Sequence, residues 1–281
     1  MLTNLRVWLN HFEYHAEQPR GARSGSPSGL CTEERRLISR SIALFQLGEQ
    51  SDGTGLLRAA YRFALAHGDE LLPRITELFI REEQRHARLL REFMDEHGIR
   101  VKCHHWSDAI FRRVRRLAGF ELYLHVLITA ELIGNVYYRA LESVTGCQRL
   151  RVLCRTLIAD ELAHVGYGSE LILELRARKP AALRTWIRLL HRAFFCAAAG
   201  AVWISHRAVL RRAGHTATGF LRVCLEQYAF HLEPPAAWVG AQRPTPGGVS
   251  VPVSVGFGER AAPQCPAGAS TGQPRAPDRG Q

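Results

Sequence analysis

The sequence predicts an all-α fold, a four-helix bundle with further helices before and after it, and three observations carry that prediction. No segment sustains the period-two alternation of a half-buried strand. Between Ser28 and Glu233 the only prolines are Pro73 and Pro180, so long helices can run without a break. Apolar residues recur at helical spacing through that stretch, and glycine or turn clusters interrupt it at helix-length intervals.

At the amino terminus Leu5, Trp8, Leu9 and Phe12 lie on one face of a short amphipathic helix, which docks on the bundle rather than on a membrane. A loop rich in Gly, Ser and Pro follows from Gln18 to Gly29, so residues 1–31 form an N-terminal helix and loop. The pattern is helical from Thr32 to about Ala66, with a soft spot at Ser51-Asp52-Gly53-Thr54-Gly55. The next helix starts near Asp69, tolerates Pro73 in its opening turns, and ends at Gly98. Trp106 to about Thr145 is helical in two pieces divided near Gly119, and Gly146 closes it. A helix from about Cys147 to Lys179 is ended by Pro180, which also starts the next one, lasting to about Ala213. The last runs from Thr216 to Glu233. Residues 32–179 therefore make the bundle and 180–233 the additional helices. Residues 234–281 are expected to be a disordered tail, because Ala241 to Gln281 alone carries seven prolines and seven glycines and has too little apolar surface to offset its ordering entropy.

The net charge is +11, and all of the basic side chains but Lys102 and Lys179 are arginine. Such a surface is either simply solvated or receives an anionic partner, an acidic carrier protein or tRNA, through Arg112, Arg113, Arg115 and Arg116 or the stripe Arg184, Arg188 and Arg192. Seven cysteines are scattered with no C-x-x-C pair, which argues for reduced thiols in a cytoplasmic protein and against a zinc ribbon. Asn4, Arg6, Asn10 and Glu13 interrupt any signal-peptide core. In the carboxyl half the longest uncharged apolar stretch, Ala193 to Ser205, falls short of the roughly 20 residues a spanning helix needs, so no membrane span is expected.

Two positions read Glu-x-x-His: Glu83-Gln84-Arg85-His86 and Glu161-Leu162-Ala163-His164. Residues three apart share a helix face, so a carboxylate and an imidazole can reach one ion. With 20 glutamates and 13 histidines in 281 residues, chance alone supplies about one such match, and the weight rests on placement. Glu49 is the only charge from Ser41 to Ser51, and Glu131 the only acid from Leu122 to Tyr138. Glu49 and Glu83 stand at one height on antiparallel helices if the chain turns near residue 66, beside His67-Gly68-Asp69. For Glu131 and Glu161 the midpoint is residue 146, itself the closing glycine. Each hairpin thus sets a lone glutamate opposite a Glu-x-x-His. Four ionised glutamates buried unpaired would cost several kcal/mol each, and two divalent cations cancel their charge. Mixed carboxylate and imidazole ligands suit two iron ions, with manganese the alternative.

On Glu49, Glu83, His86, Glu131, Glu161 and His164, over roughly Thr32 to Lys179, the chain resembles the ferritin-like di-iron or di-manganese carboxylate proteins, whose ligand pattern has this form. Glu82-Glu83-Gln84-Arg85-His86 and Ile158-Ala159-Asp160-Glu161 resemble the oxygen-activating branch, soluble acyl-carrier-protein desaturases and related oxygenases among them. Ala163 stands where the desaturases usually carry arginine. The resemblance implies an oxidoreductase that activates dioxygen to oxidise a small-molecule or carrier-bound substrate, served by an electron-donor protein. An iron-handling ferroxidase or peroxide-removing protein is the alternative, and a metal-free helical interaction protein a third. Further candidates surround the ligands. Asp160 orients His86 or is an exposed aspartate. Tyr138, seven residues from Glu131, relays an electron or hydrogen atom or simply fills the core. Gly134 and Gly168 leave room for oxygen or pack helices closely, and His206 with Trp203 caps the bundle or is an ordinary structural histidine.

Overall fold

The computed structural model describes residues 2–17, 29–50, 53–102 and 119–234. Among these are eight α-helices and no strand: α1 (Leu5–Glu17), α2 (Thr32–Glu49), α3 (Thr54–His67), α4 (Leu72–Glu96), α5 (Phe120–Ser143), α6 (Gln148–Ala177), α7 (Ala181–Arg212) and α8 (Ala217–Leu232). The all-α bundle is as the sequence predicts. The expected helix from Trp106 to Ala118, the arginine cluster at 112–116 and the tail beyond residue 234 lie outside the described residues.

Local chemistry sets the helix ends. Pro73 sits in the first turn of α4, where its missing N–H costs nothing. That helix starts at Leu72, three residues later than Asp69, and ends at Glu96. Gly98 beyond it takes φ 59°, which lets Ile99 N–H reach back to Met94 O at 2.8 Å. Pro180 precedes α7, and Thr216 Oγ1 accepts from Gly219 N–H at 3.0 Å to cap α8. The soft spot at 51–55 is a complete break: α2 stops at Glu49, and α3 restarts after Gly53 at φ 67°. Both pieces pack on α4, so together they form one interrupted arm against it.

α5 and α6 make the most extensive pairing in the molecule. α2, α4, α5 and α6 surround the interior, α7 lies against α5 and α2, and α8 lies against α5, α6 and α7. α1 packs on α4 through Leu5, Trp8 and Phe12, and Trp8 Nε1 donates to Glu170 at 2.7 Å. The apolar core is split in two. One part gathers Leu72, Ile75 and Phe79 of α4 with Ile128 and Leu132 of α5 and Leu171 and Ile172 of α6. The other gathers Ile38 and Ile42 of α2, Leu90 and Phe93 of α4, Leu141 of α5, and Leu153 and Leu157 of α6. Residues 83–86 of α4 and 161–164 of α6 fall between the two parts along their helices, and Glu131 of α5 is buried beside them.

Gly134 and Gly168 serve close packing. A methyl group on Gly168 would meet Ile128 Cδ1 at 2.9 Å, and one on Gly134 would meet Phe45 at 3.3 Å. His206 is buried and hydrogen-bonded to Ser41 Oγ at 2.8 Å, and Ser41 in turn to the Tyr137 hydroxyl at 2.8 Å, so it ties α7 to α2 and α5. Within the expected arginine stripe, Arg188 and Arg192 face Glu233 of α8 at 3.7 and 3.1 Å, which partly neutralises it.

Candidate metal centre

The two Glu-x-x-His motifs face each other from α4 and α6. One ligand atom from each of Glu83, His86, Glu161 and His164 lies within 4.8 Å of all the others. His86 Nδ1 stands 3.6 Å from Glu83 Oε1 and 3.2 Å from Glu161 Oε1. His164 Nδ1 stands 2.9 Å from Glu83 Oε1 and 3.4 Å from Glu161 Oε2. Each carboxylate therefore touches both imidazoles. That is the placement a bridging ligand needs.

The lone glutamates join from the flanking helices. Glu131 of α5 lies beside Glu161, Glu83 and His164, and Glu49, the last residue of α2, lies beside Glu83, Glu161 and His86. Tyr138 donates its hydroxyl to Glu49 Oε1 at 2.8 Å. Four of the six residues chosen from the sequence form the close group, and Glu49 and Glu131 are its acidic neighbours, Glu49 on the His86 side and Glu131 on the His164 side. Tyr138 belongs to the Glu49 half. The hydroxyl contact is to that carboxylate rather than to Glu131, which the seven-residue spacing suggested.

Titration follows the geometry. Burial, and then the charges of Glu161 and Glu83, hold the Glu131 carboxyl well above the usual range. Burial, Glu83 and Glu161 do the same to Glu49. Burial would also raise Glu161, but contacts with Glu131, His164 and His86 hold it well below. Burial alone would depress His86, yet contacts with Asp160, Glu161 and Glu83 lift it to about 10. His164 is lifted too: burial opposes, while Glu161, Glu82 and Glu83 prevail. The concentrated negative charge of the site thus favours the protonated form of both imidazoles.

The outward nitrogen of each imidazole is also held. His86 Nε2 lies 3.2 Å from Asp160 Oδ2, as expected, and Arg85 pins that aspartate from 2.8 Å. His164 Nε2 lies 2.9 Å from Glu82 Oε2. Glu82 is a functional residue that the sequence reasoning missed. The signal was present, because the residue before each motif glutamate is acidic, Glu82 before Glu83 and Asp160 before Glu161. The structure crosses these acids over: the one on α4 holds the histidine of α6, and the one on α6 holds the histidine of α4. Such partners fix ring orientation and tautomer, leaving Nδ1 aimed inward.

This group could hold a metal ion. Glu83 Oε1, His86 Nδ1, both carboxylate oxygens of Glu161 and His164 Nδ1 are buried and meet one another at ion-pair distances, without hydrogen-bond geometry. Buried polar atoms are rarely left so. Five that point at one spot form a donor set for a metal with mixed oxygen and nitrogen ligands. His86, Glu161 and His164 are at most 1% exposed, whereas Glu83 and Glu49 are only partly buried. No protein-family model, no curated protein and no solved structure matches the chain.

Proposed function

We propose that the protein is a ferritin-like di-iron carboxylate oxidoreductase that activates dioxygen to oxidise an organic substrate. The observation that carries this reading is the convergence of buried ligand atoms of Glu83, His86, Glu161 and His164 within 4.8 Å of one another. Glu83, His86, Glu161 and His164 would hold the ions, with Glu49 and Glu131 as the further ligands. Iron, or manganese in its place, supplies redox chemistry and Lewis acidity when bound.

The chain's own part is to hold and orient. Asp160 and Glu82 fix the imidazoles, and Arg85 holds Asp160 in place. Tyr138 keeps a hydroxyl proton on Glu49 Oε1 and stands as the side chain best placed to exchange a proton with that carboxylate. The two apolar layers keep water from the interior faces of the site.

The second reading, iron storage, needs surfaces rich in carboxylate where mineral nucleates. Exposed Arg184, Arg188 and Arg192 speak against it. Ferrous iron added stepwise in air tests the choice. Oxidation saturating near two irons per chain is expected. Continued uptake of tens of irons into a soluble particle would reject the oxidoreductase reading.

A further inference from the structure

α7 is the most exposed long helix of the molecule. Leu183, Trp186, Leu189, Leu190 and Ile204 on it are 48%, 64%, 54%, 66% and 64% exposed. Together they leave roughly 500 Å² of apolar surface in water, the size of a functional patch and most of one partner's share, about 800 Å², of a standard interface. By length and composition the helix could cross a bilayer, but Phe195, Ala198, Ala199, Val209 and Leu210 on its other face are buried against the rest of the protein. The outward face needs a different cover.

Its spacing names the cover. Leu183, Trp186, Leu190, Ala193, Ala197, Gly200 and Ile204 follow one another at alternating steps of three and four, the heptad seam of a coiled coil. The large residues of the seam are exposed, and so are Ala193, Ala197 and Gly200. The flanking positions, Ile187 and Leu189 on one turn and Ala201 and Trp203 further on, carry no charge, while Arg188 and Arg192 lie towards Glu233 instead.

Gly200 is the informative residue. A glycine inside a helix costs about 1 kcal/mol relative to alanine. Among the described residues nothing lies within 4 Å of where its Cβ would be. A second copy of the helix would use the space. If two α7 helices cross antiparallel about a twofold axis near residue 195, Trp186 meets Ile204 of the other copy, Leu190 meets Gly200, and Ala193 meets Ala197. Three seam positions then meet an apolar counterpart, with a large residue on the glycine and small ones at the axis, while Leu183 at the rim falls opposite the exposed Arg207. A lipid surface would gain nothing from alanines and a glycine in the middle of the buried stripe. A close helix pair needs them.

We infer that this chain forms a twofold-symmetric dimer through α7, with the helices antiparallel and Leu190 seated over Gly200 of the second copy. Such an isologous contact is self-complementary by construction. It also sets the half-exposed Cys196 of one copy close to its equivalent, since both flank the seam one residue from the axis.

Sedimentation of the full chain across the micromolar range tests this, with anionic phospholipid vesicles as a parallel arm. Expected are a species of twice the 31.5 kDa chain mass and dissociation weakened by neither salt nor metal removal. Leu190→Glu and Gly200→Leu should each weaken the dimer about 100-fold with helical circular dichroism unchanged, both positions being exposed. A short bismaleimide should link the wild-type dimer and fail on Cys196→Ser. A monomer throughout, a dimer indifferent to both substitutions, or cross-linking that survives Cys196→Ser would overturn the inference. So would a monomer that binds vesicles more tightly after Gly200→Leu, which adds apolar surface: that outcome assigns the face to lipid.

Discussion

Two groups of buried histidines lie in this molecule, and they are opposites. In the metal centre, His86 and His164 face carboxylates on both sides, and His86 is lifted to about 10. Nearer the bundle end, His125 and His191 pack edge to face at 4.5 Å, and burial lowers His125 to about 4 and His191 to about 2. His191 Nδ1 accepts from Arg176 at 2.6 Å, and Nε2 donates to Thr129 Oγ1 and His125 O at 3.0 and 3.1 Å. Both nitrogens of that ring are used within the fold. Those facing the metal site meet carboxylates instead. Burial alone therefore does not make a histidine a ligand; what matters is whether acids surround it.

The largest expected effect is on metal content. Glu131→Ala should retain helical structure and drop from about two metals per chain to a small fraction, as elemental analysis would read. Equal content in both proteins would erase the difference between the two histidine groups. His191→Gln is the complementary change and should leave metal content unaltered.

Weakening the outer partners sharpens the contrast. Asp160→Asn and Glu82→Gln should each lower metal affinity about 10- to 100-fold in competition with a chelator, without loss of fold. Because the two acids hold opposite histidines, equal penalties are expected. A large effect of one and none of the other would show that the two acids do not play equivalent parts.

The smallest effect lies in pH. His191 is depressed below its unfolded value near 6.5, so it contributes stability that is present above that pH and lost as pH falls. His86 and His164 are raised and act with the opposite sign in the metal-free protein, which hides the effect in the wild type alone. The stability difference between wild type and His191→Gln, from urea unfolding, should shrink by about 2 kcal/mol between pH 7 and pH 5. A constant difference would mean that His191 takes up a proton in the fold without cost.

Much of this was legible from spacing. The midpoint of Glu131 and Glu161 fell on a real turn between α5 and α6, and Glu49 came to Glu83 although α2 and α3 are separate helices, because both segments run along α4. Glu82 was not legible as a functional residue, since an acid beside a motif residue reads as part of the solvated face and only the packing of α4 on α6 turns it inward. The group of His125, Thr129, Arg176 and His191 was equally hidden. Its members come from three helices, and no spacing along one chain segment connects them. Exposure of α7 was invisible for the converse reason: an apolar stripe reads as core until the protein around it is seen to end.

The crossed acids have a consequence for how the chain finds its own alignment. A carboxylate on α4 reads the position of α6, and one on α6 reads α4, so each helix carries a check on the other. Sliding either by a single residue would move its side chains about 100° around the axis and part both hydrogen-bonded pairs at once. Alignment of the two helices and aim of the two imidazoles are thus one property, tested twice over, and a chain that satisfies Asp160 and Glu82 has already built the cavity between them.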